Sequence, residues 1–186
     1  MIQIIGFSGS LRTGSFNSAL LRAAAAVEIA DCKVVIESIA GIPLYNGDDE
    51  TAHGVPDRAA RLKDLIAQAD AVLIATPEYN NSIPGVVKNA IDWLSRPPRD
   101  IPRVFRGKIV ALMGASPGGF GTVLSQNAWL PVLRTLGTEL WTGGRLTVAK
   151  AGSVFDASGQ IIDETVRQNV EKFMHGFADY VRRRKS

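Results

Sequence analysis

Apolar positions along the chain recur with two different periods. Short aliphatic and β-branched runs predict strands, and longer segments with apolar residues at steps of three or four predict amphipathic helices. Four predicted strands cover residues 2–7, 33–38, 70–75 and 108–115. Residues 138–140 supply the fifth strand, and residues 146–148 are a further candidate for the same position. The predicted helices cover residues 16–29, 56–68, 84–94, 122–136 and 163–183, and a polar loop spans 41–54.

Strands that alternate with helices predict an α/β fold with one parallel sheet covered on both faces and joined by right-handed crossovers. The whole chain, residues 1–186, is interpreted as one domain. In such sheets ligands bind beyond the carboxyl ends of the strands. The search for function therefore concentrates on the loops after the first, third and fourth predicted strands.

Composition excludes several classes of protein. Hydrophobic residues make up 46% of the chain and charged residues 21%, which is ordinary for a globular protein. No apolar stretch approaches the roughly 20 residues of a membrane span, so no membrane association is expected. The first residues form an apolar run with neither a basic leader nor a cleavage site, which predicts a cytoplasmic protein.

Few residues of this chain suit metal or disulfide chemistry. The one cysteine, Cys32, cannot form an internal disulfide and is expected to be partly buried. His53 and His175 are far apart and lack neighbours at ligand spacing, so no metal site is expected. The net charge of +3 owes much to the basic tail at 182–185. Because no basic stripe or interleaved aromatics accompany that tail, it is interpreted as complementing a helix dipole, and no nucleic-acid partner is expected.

The loop after the first predicted strand, residues 6–18, combines glycines with many hydrogen-bond donors. Glycine permits a tight turn, so successive backbone N–H groups point into one concavity at a helix N-terminus, which is where anions bind. The side chains of this turn are Ser10, Arg12, Ser15, Phe16, Asn17 and Ser18. So many donors predict a site for a terminal phosphate; a capped turn without a ligand is the alternative.

Three other phosphate-binding loops do not match these residues. Gly9 to Gly14 has the Walker spacing, but Ser15 stands where the phosphate-binding lysine belongs, which disfavours ATP hydrolysis. The dinucleotide fingerprint G-x-G-x-x-G is absent, and the loop lacks the cysteine of a cysteine-based phosphatase.

The loop after the third predicted strand, residues 76–85, is polar and aromatic and contains two prolines. A flat heteroaromatic ligand benefits from such rigid backbone groups beside an aromatic side chain. The candidate ligand-binding residues are Pro77, Glu78, Tyr79 and Asn80. Two alternatives stay open, namely Tyr79 as a core aromatic and Glu78 as the cap of a neighbouring helix. A response regulator is excluded, because Thr76 and Ser8 occupy positions that need acidic residues.

Two motifs carry a resemblance to a known family. The sequence Pro77-Glu78-Tyr79-Asn80, with Pro84-Gly85 and Lys88-Asn89-Ala90-Ile91-Asp92-Trp93, resembles the NADPH-dependent FMN reductases, which include soluble bacterial quinone, chromate and azo-compound reductases. Residues 9–17 are similar to the family's phosphate loop. The resemblance covers nearly the whole chain. It implies a flavodoxin-like, doubly wound sheet of five parallel strands in the order 2-1-3-4-5 with helices on both faces.

The resemblance also implies the cofactors and the chemistry. It places the glycine-rich loop 115–122 against the ring of FMN, so that Ser116, Gly118 and Gly119 complete the expected cofactor site; a helix N-terminal turn is the alternative. Hydride is expected to pass from NADPH or NADH to flavin N5, and then to a quinone, an azo compound, chromate or free flavin, in a ping-pong sequence. No catalytic side chain is expected.

Two positions depart from the family pattern and bear on the acceptor. Asn81 stands where an aromatic often follows the Glu-Tyr-Asn stretch, and Leu124 stands where an arginine is common. If that arginine attracts anions, chromate is in doubt as a substrate. The arginines at 96, 99 and 103 are a candidate replacement.

The remaining expectations concern assembly and alternative functions. The family's usual oligomers imply a homodimer or a homotetramer. Trp93, Trp129 and Trp141 are assigned to an interface or, with equal weight, to the core, and Lys88 with Asp92 to a surface ion pair. A flavodoxin-like electron carrier without NAD(P)H activity is the main alternative, which the basic charge balance disfavours. A non-redox module for another phosphorylated ligand is the third hypothesis.

Overall fold

The structure is a computed structural model that describes residues 1–185. Its strands are β1 (Ile2–Ser8), β2 (Cys32–Glu37), β3 (Ala71–Ala75), β4 (Ile109–Ala115), β5 (Glu139–Leu140) and β6 (Leu146–Val148). Its helices are α1 (Phe16–Ala25), α2 (Gly47–His53), α3 (Asp57–Gln68), α4 (Gly85–Leu94), α5 (Ile101–Val104), α6 (Val123–Leu136) and α7 (Glu164–Lys185), with single 3₁₀ turns at Pro98–Asp100 and Ala151–Ser153.

The strands form one parallel sheet in the order β2-β1-β3-β4-β5, which confirms the predicted topology. Both segments that the sequence offered for the fifth strand are strands, and they pair with β4 in turn, so the sheet has six strands and not five. β5 pairs with the start of β4 at Ile109, and β6 pairs with its end at Met113. Residues 141–145 leave the sheet between them, and the Trp141 ring instead contacts Phe173 and Phe177 on α7, at centroid distances of 5.0 and 5.3 Å.

The core lies on both faces of the sheet. β3 and β4 are buried along their whole length, as expected for central parallel strands. One apolar cluster joins the sheet to α1 and α7, and a second joins it to α3, α4 and α6. The predicted apolar face of the last helix is confirmed, since Val170, Phe173 and Phe177 are buried in the first cluster. Trp93, Trp129 and Trp141 are buried inside the chain, which places all three in the core rather than on its surface.

The predicted loop 41–54 contains a helix that the hydrophobic pattern missed. α2 has no buried residue, so it has no apolar stripe to detect. Its start is marked instead by Asn46, whose side chain accepts a hydrogen bond from the N–H of Asp48 at 2.9 Å. The first predicted helix is also shorter than expected, because α1 ends at Ala25. Cys32 is partly buried, as predicted.

A buried lysine connects α3 to the segment before β4. Lys63 is 3% exposed, and its Nζ donates hydrogen bonds to the carbonyl of Arg96 and, at 2.7 Å, to the carboxylate of Asp100. The hydrogen bond from Lys63 is the main cause that lowers the pKa of Asp100. The pattern of apolar positions gave no signal for this contact.

Replacing Lys63 by Met keeps the apolar stem and removes the ammonium group. We expect Lys63→Met to lower the free energy of unfolding by about 1–3 kcal/mol, because the Arg96 carbonyl and the Asp100 carboxylate lose their donor. Urea unfolding at neutral pH measures this. Because folding lowers the pKa of Asp100, the pair stabilises at neutral pH, and its contribution is lost as the pH falls through the acidic range.

The control is Arg61→Met, since Arg61 makes only an exposed ion pair with Glu37 at 3.6 Å. We expect this variant to lose less than about 1 kcal/mol. An equal loss in the two variants would contradict the assigned role of Lys63.

Candidate cofactor and active site

The N-terminus of α1 is open to a ligand at the carboxyl edge of the sheet. Ser15 caps the helix, and its Oγ accepts a hydrogen bond from the N–H of Ser18 at 3.3 Å. No acidic residue lies in the first turn, so the positive end of the helix dipole is not neutralised within the helix. The guanidinium of Arg12 lies over the Phe16 ring, 5.5 Å from its centroid, at the same end of the helix. This end of α1 therefore has the charge and the donors that a phosphate requires.

The turn before α1 is held against the neighbouring loop by a close backbone approach. The N–H of Gly9 donates to the carbonyl of Ala75 at 2.8 Å. A Cβ at Gly9 would lie 2.9 Å from Pro77 Cδ, so only glycine fits without displacing the second loop. The hydroxyls of Ser10 and Tyr79 lie 3.4 Å apart, within hydrogen-bond distance, and so connect the same two loops.

The side chain of Asn17 links α1 to the end of β4. Its Nδ2 donates to the carbonyl of Ala115 at 2.8 Å, and its Oδ1 accepts from the N–H of Ala115 at 2.9 Å. The residue is buried, and both ends of its amide are engaged. Asn17 was predicted as one phosphate donor among several, whereas its amide joins the first and third loops of the site.

Glu78 caps α6, which is the alternative that the sequence had left open. Its Oε2 accepts hydrogen bonds from the N–H groups of Leu124 and Ser125 at 2.8 and 3.0 Å. Thr122, at the start of α6, makes no side-chain cap, so the carboxylate of Glu78 performs this role from the neighbouring loop. The carboxylate thus fixes the loop after β3 to the helix after β4.

A buried hydroxyl secures the first residue of the same loop. The hydroxyl of Thr76 donates to the carbonyl of Pro77 and accepts from Trp129 Nε1 at 3.1 Å. The Ser125 hydroxyl lies 3.0 Å from it. Because Thr76 is completely buried, this network holds the exit of β3 in one place.

The Pro77–Asn80 segment ends in a tight turn that presents an aromatic ring. Tyr79 and Ser82 exchange backbone hydrogen bonds at 3.2 and 3.1 Å, and the two residues between them, Asn80 and Asn81, have φ values of 50° and 62°. Asparagine tolerates this left-handed conformation, which explains an Asn-Asn pair here. Tyr79 is 48% exposed, so the alternative that placed it in the core was wrong.

The loop after β4 is tied to the strand beside it. The N–H of Ser116 donates to the carbonyl of Val148 at 2.9 Å, and the Ser116 hydroxyl accepts from the N–H of Gly118 at 3.0 Å. The carbonyl of Gly118 accepts from the N–H of Lys150 at 2.9 Å. The loop is therefore ordered by β6, the strand that the sequence presented as a second candidate for the fifth.

One cleft of about 420 Å³ gathers most of the predicted site residues. It is lined by Ser10, Arg12, Ser15, Phe16, Asn17, Pro77, Glu78, Tyr79 and Ser116, together with Ala115 and Pro117, which were not predicted. Asn80, Gly118 and Gly119 do not line it: Asn80 lies in the tight turn beside Tyr79, and both glycines are exposed in the loop after β4. Ala115 and Pro117 flank the predicted residue Ser116, so extending the predicted site by one residue on each side would have included them.

This donor set fits FMN. Hydroxyls, a guanidinium and the N-terminus of α1 line the same cleft as the exposed Tyr79 and the loops after β3 and β4, a combination that matches a phosphate joined to a flat polar ring. Within residues 1–185, no group of three or more His, Cys, Asp or Glu side chains is arranged to hold a metal ion. No helix among these residues has both the length and the apolar character to cross a membrane.

The sheet order and the cleft define a flavodoxin-like protein with a cofactor site at the carboxyl edge of the sheet. The family model for NADPH-dependent FMN reductases matches residues 2–152. The chain belongs to this family, as its motifs had indicated, and it is an oxidoreductase that uses FMN and NAD(P)H.

Individual relatives agree with this assignment over nearly their whole length. An NAD(P)H-dependent FMN reductase of Pseudomonas aeruginosa is 41% identical over 182 residues, covering 98% of this chain and 96% of that protein. A 2-hydroxy-1,4-benzoquinone reductase of a Burkholderia species is 39% identical over 184 residues, covering 99% and 98%. The solved flavoenzyme NAD(P)H:(acceptor) oxidoreductase FerB of Paracoccus denitrificans is 33% identical, covers 98% of both chains and superimposes with a TM-score of 0.86.

Proposed function

We propose that the cleft at the carboxyl edge of the sheet holds FMN and reduces small quinones with electrons from NAD(P)H. The observation that carries this proposal is one cleft that joins the N-terminus of α1 and Arg12 to the exposed Tyr79 and the loop after β4. Several relatives are quinone reductases, which supports the choice of acceptor.

The residues divide into those that contact the cofactor and those that hold the loops. Ser10, Ser15 and Arg12, with the first N–H groups of α1, bind the FMN phosphate. The Phe16 ring packs against the Arg12 guanidinium in a cation–π contact of 5.5 Å, which orients that side chain. Asn17 and Glu78 act mainly through the protein, since their side chains join the loops to β4 and α6.

The loops of residues 77–80 and 116–119 would hold the ring of FMN in this proposal. FMN, when bound, accepts two electrons from the reduced nicotinamide and delivers them to the acceptor. Backbone N–H groups of the two loops would favour negative charge at the polar edge of the ring. Gly118 and Gly119 lie beside the cleft and add no side-chain bulk next to Ser116. Tyr79 provides a flat surface at the mouth of the cleft. No side chain of the cleft is required as an acid or a base.

Anaerobic reduction tests the proposal directly. The purified protein should be yellow, lose its visible flavin absorbance on addition of NADPH or NADH, and regain it when a benzoquinone is added. An acceptor panel of quinones, azo dyes, free FMN and chromate then ranks the substrates. A yellow protein that neither nucleotide bleaches is an electron carrier instead, and a colourless protein after growth with riboflavin is a non-redox module.

We infer that chromate is a poorer acceptor than quinones. Leu124 occupies the position that is often an arginine in the family. Its backbone N–H donates a hydrogen bond to Glu78 at the edge of the cleft. The suggestion that other arginines replace it was wrong. The segment 96–106 leads into the amino end of β4, on the sheet edge opposite the cleft. There Arg103 pairs with Asp64 at 2.8 Å, and Arg96 lies over the Tyr45 ring.

Arg12→Ala should weaken FMN retention by about 1.5–3 kcal/mol, the contribution of a charge-assisted hydrogen bond to a phosphate. Fluorescence titration of the flavin-free protein with FMN measures the dissociation constant. Arg99→Ala is the control, because Arg99 is exposed on the opposite edge and its loss should change nothing. An unchanged affinity in Arg12→Ala would show that this arginine faces solvent.

Assembly and location complete the proposal. A homodimer or a homotetramer is supported by exposed apolar side chains on α4 and α6, namely Val86, Leu124 and Leu130. Size-exclusion chromatography with light scattering distinguishes the two. A cytoplasmic location is supported by the dependence on NAD(P)H, and fractionation of the producing cells tests it.

A further inference from the structure

A short hairpin connects the end of the sheet to the last helix. It spans residues 154–162 and is here named the 154–162 hairpin. Phe155 and Ile161 form an antiparallel bridge across it. The carboxylate of Asp156 closes its turn by accepting a hydrogen bond from the N–H of Gln160 at 2.9 Å. Because these contacts lie within the hairpin, it presents a fixed surface to the elements that it packs against.

The 154–162 hairpin lies against one side of α1. A Cβ at Gly159 would be 3.3 Å from the Cβ of Ala19 and 2.8 Å from Nη2 of Arg22, so the tip of the hairpin contacts both residues. At the N-terminus of α1, the Phe155 ring stacks on the Phe16 ring with a centroid distance of 5.7 Å and an interplanar angle of 25°. The three contacted residues of α1 are spaced three apart and therefore share one side of the helix.

The Phe16 ring also contacts Arg12, so it connects the hairpin to the phosphate turn. Arg12 is exposed, and within residues 1–185 its guanidinium makes no hydrogen bond or ion pair. Its recorded partner is the Phe16 ring, 5.5 Å away. An exposed arginine that is restrained before its ligand arrives loses less entropy on binding. The orientation of Phe16 therefore affects how strongly Arg12 can bind a phosphate.

Phe155 is placed to fix that orientation. It is 5% exposed and belongs to the apolar cluster that joins the sheet to α1 and α7, whereas Phe16 is only partly buried. Stacked aromatic pairs contribute beyond the area that they bury. Phe155 does not line the cofactor cleft, so any effect on a ligand there has to pass through Phe16. It also lies beyond residue 152, where the match to the family model ends.

We propose that Phe155 is a positioning residue for the phosphate of FMN: it fixes the Phe16 ring, which holds Arg12 toward the phosphate. The inference rests on the proposed function, which assigns the phosphate to Arg12 and the N-terminus of α1. It makes the 154–162 hairpin part of the selection of FMN over riboflavin, since riboflavin differs from FMN only in lacking the phosphate.

Fluorescence titration of the flavin-free protein with FMN and with riboflavin tests the inference. We expect Phe155→Leu to raise the dissociation constant of FMN roughly three- to tenfold, the loss of one stacked aromatic contact. The dissociation constant of riboflavin should change by less than about twofold, because no phosphate is present to contact Arg12. If the leucine variant does not fold, as circular dichroism shows, Phe155→Met keeps more of the side-chain volume and takes its place in the same comparison.

Two further variants separate positioning from a general loss of stability. Phe173→Leu makes the same truncation at a residue of the same cluster that is 4% exposed and packs edge-on against Trp141. It should leave the ratio of the two dissociation constants unchanged. In an Arg12→Ala background, adding Phe155→Leu should weaken FMN binding no further, because the two residues act on one contact.

The outcomes distinguish this inference from the proposed function. An unchanged FMN affinity in Phe155→Leu, an equal loss for FMN and riboflavin, or a loss that adds fully to that of Arg12→Ala overturns the role of Phe155. If Arg12→Ala still weakens FMN binding in these cases, the phosphate site itself stands. An Arg12→Ala variant that binds FMN as tightly as the unaltered protein contradicts the proposed phosphate site instead.

Discussion

Asn17→Asp is expected to lower the free energy of unfolding by about 3 kcal/mol or more, although it changes a single side-chain group. The substitution puts a carboxylate oxygen where Nδ2 donates to the Ala115 carbonyl at 2.8 Å. Two acceptors then face each other, and the new carboxylate is held away from water, since position 17 is buried. It also adds negative charge at the N-terminus of α1, where the FMN phosphate is proposed to bind, so FMN retention should fall as well.

Chemical denaturation and FMN titration measure the two effects separately. Asn17→Ala removes the hydrogen bonds without adding charge and should cost less, about 1–3 kcal/mol. Asn127→Asp introduces the same charge at an exposed position of α6 and should change stability by less than about 0.5 kcal/mol. Burial raises the pKa of the introduced carboxyl, so lowering the pH should protonate it. The loss in free energy of unfolding caused by Asn17→Asp should then become smaller. If Asn17→Asp lowers the free energy of unfolding no more than Asn127→Asp does, the hydrogen bonds between Asn17 and Ala115 do not stabilise the fold.

The parts of the fold that the sequence predicts are those with a local cause. Central strands such as β3 and β4 are buried on both faces, so their apolar runs are continuous and easy to recognise. The apolar face of α7 is equally easy to recognise, because its buried residues recur at steps of three or four. α2 lacks any buried residue, and the split of the fifth strand depends on how Trp141 packs on α7, which no local pattern contains.

The candidate site divides in the same way. The phosphate turn and the Pro77–Asn80 segment are recognisable because glycine, serine and proline restrict the backbone where they stand in the sequence. The roles of individual side chains were harder to predict, since they depend on partners distant in the chain. Asn17 bonds to a residue 98 positions away, and Glu78 caps a helix 46 positions away. A motif identifies such residues but does not say whether they contact the ligand or the protein.

Gly114 shows how a residue that no motif singled out determines the geometry of the site. It lies in β4, one residue before the loop that is proposed to contact the flavin ring. A Cβ at this position would lie 2.1 Å from the Thr122 hydroxyl oxygen and 2.3 Å from the carbonyl oxygen of Thr76. Thr76 leads into the loop after β3 and Thr122 ends the loop after β4. Gly114 therefore sets how closely these two loops approach each other.

Gly114→Ala is accordingly expected to cost about 3 kcal/mol or more, because the backbone of a buried strand must move to admit the methyl group. FMN retention should be lost at denaturant concentrations that leave the far-ultraviolet circular dichroism unchanged, since the strain acts on the two loops first. Gly152→Ala is the matched control: no atom lies within 4 Å of its Cβ position, so its stability should be unchanged or slightly raised.

A double variant separates the two contacts at Gly114. Thr122→Ala removes the hydroxyl but leaves the Thr76 carbonyl, which belongs to the main chain and cannot be shortened. If the carbonyl dominates, adding Thr122→Ala to Gly114→Ala will not restore stability, and the two losses will be close to additive. Recovery to within about 1 kcal/mol of the Thr122→Ala variant would instead show that the hydroxyl was the main obstacle. The separation of the two loops would then be set by a side chain, and an alanine at position 122 would let the loops adjust to a larger residue at position 114.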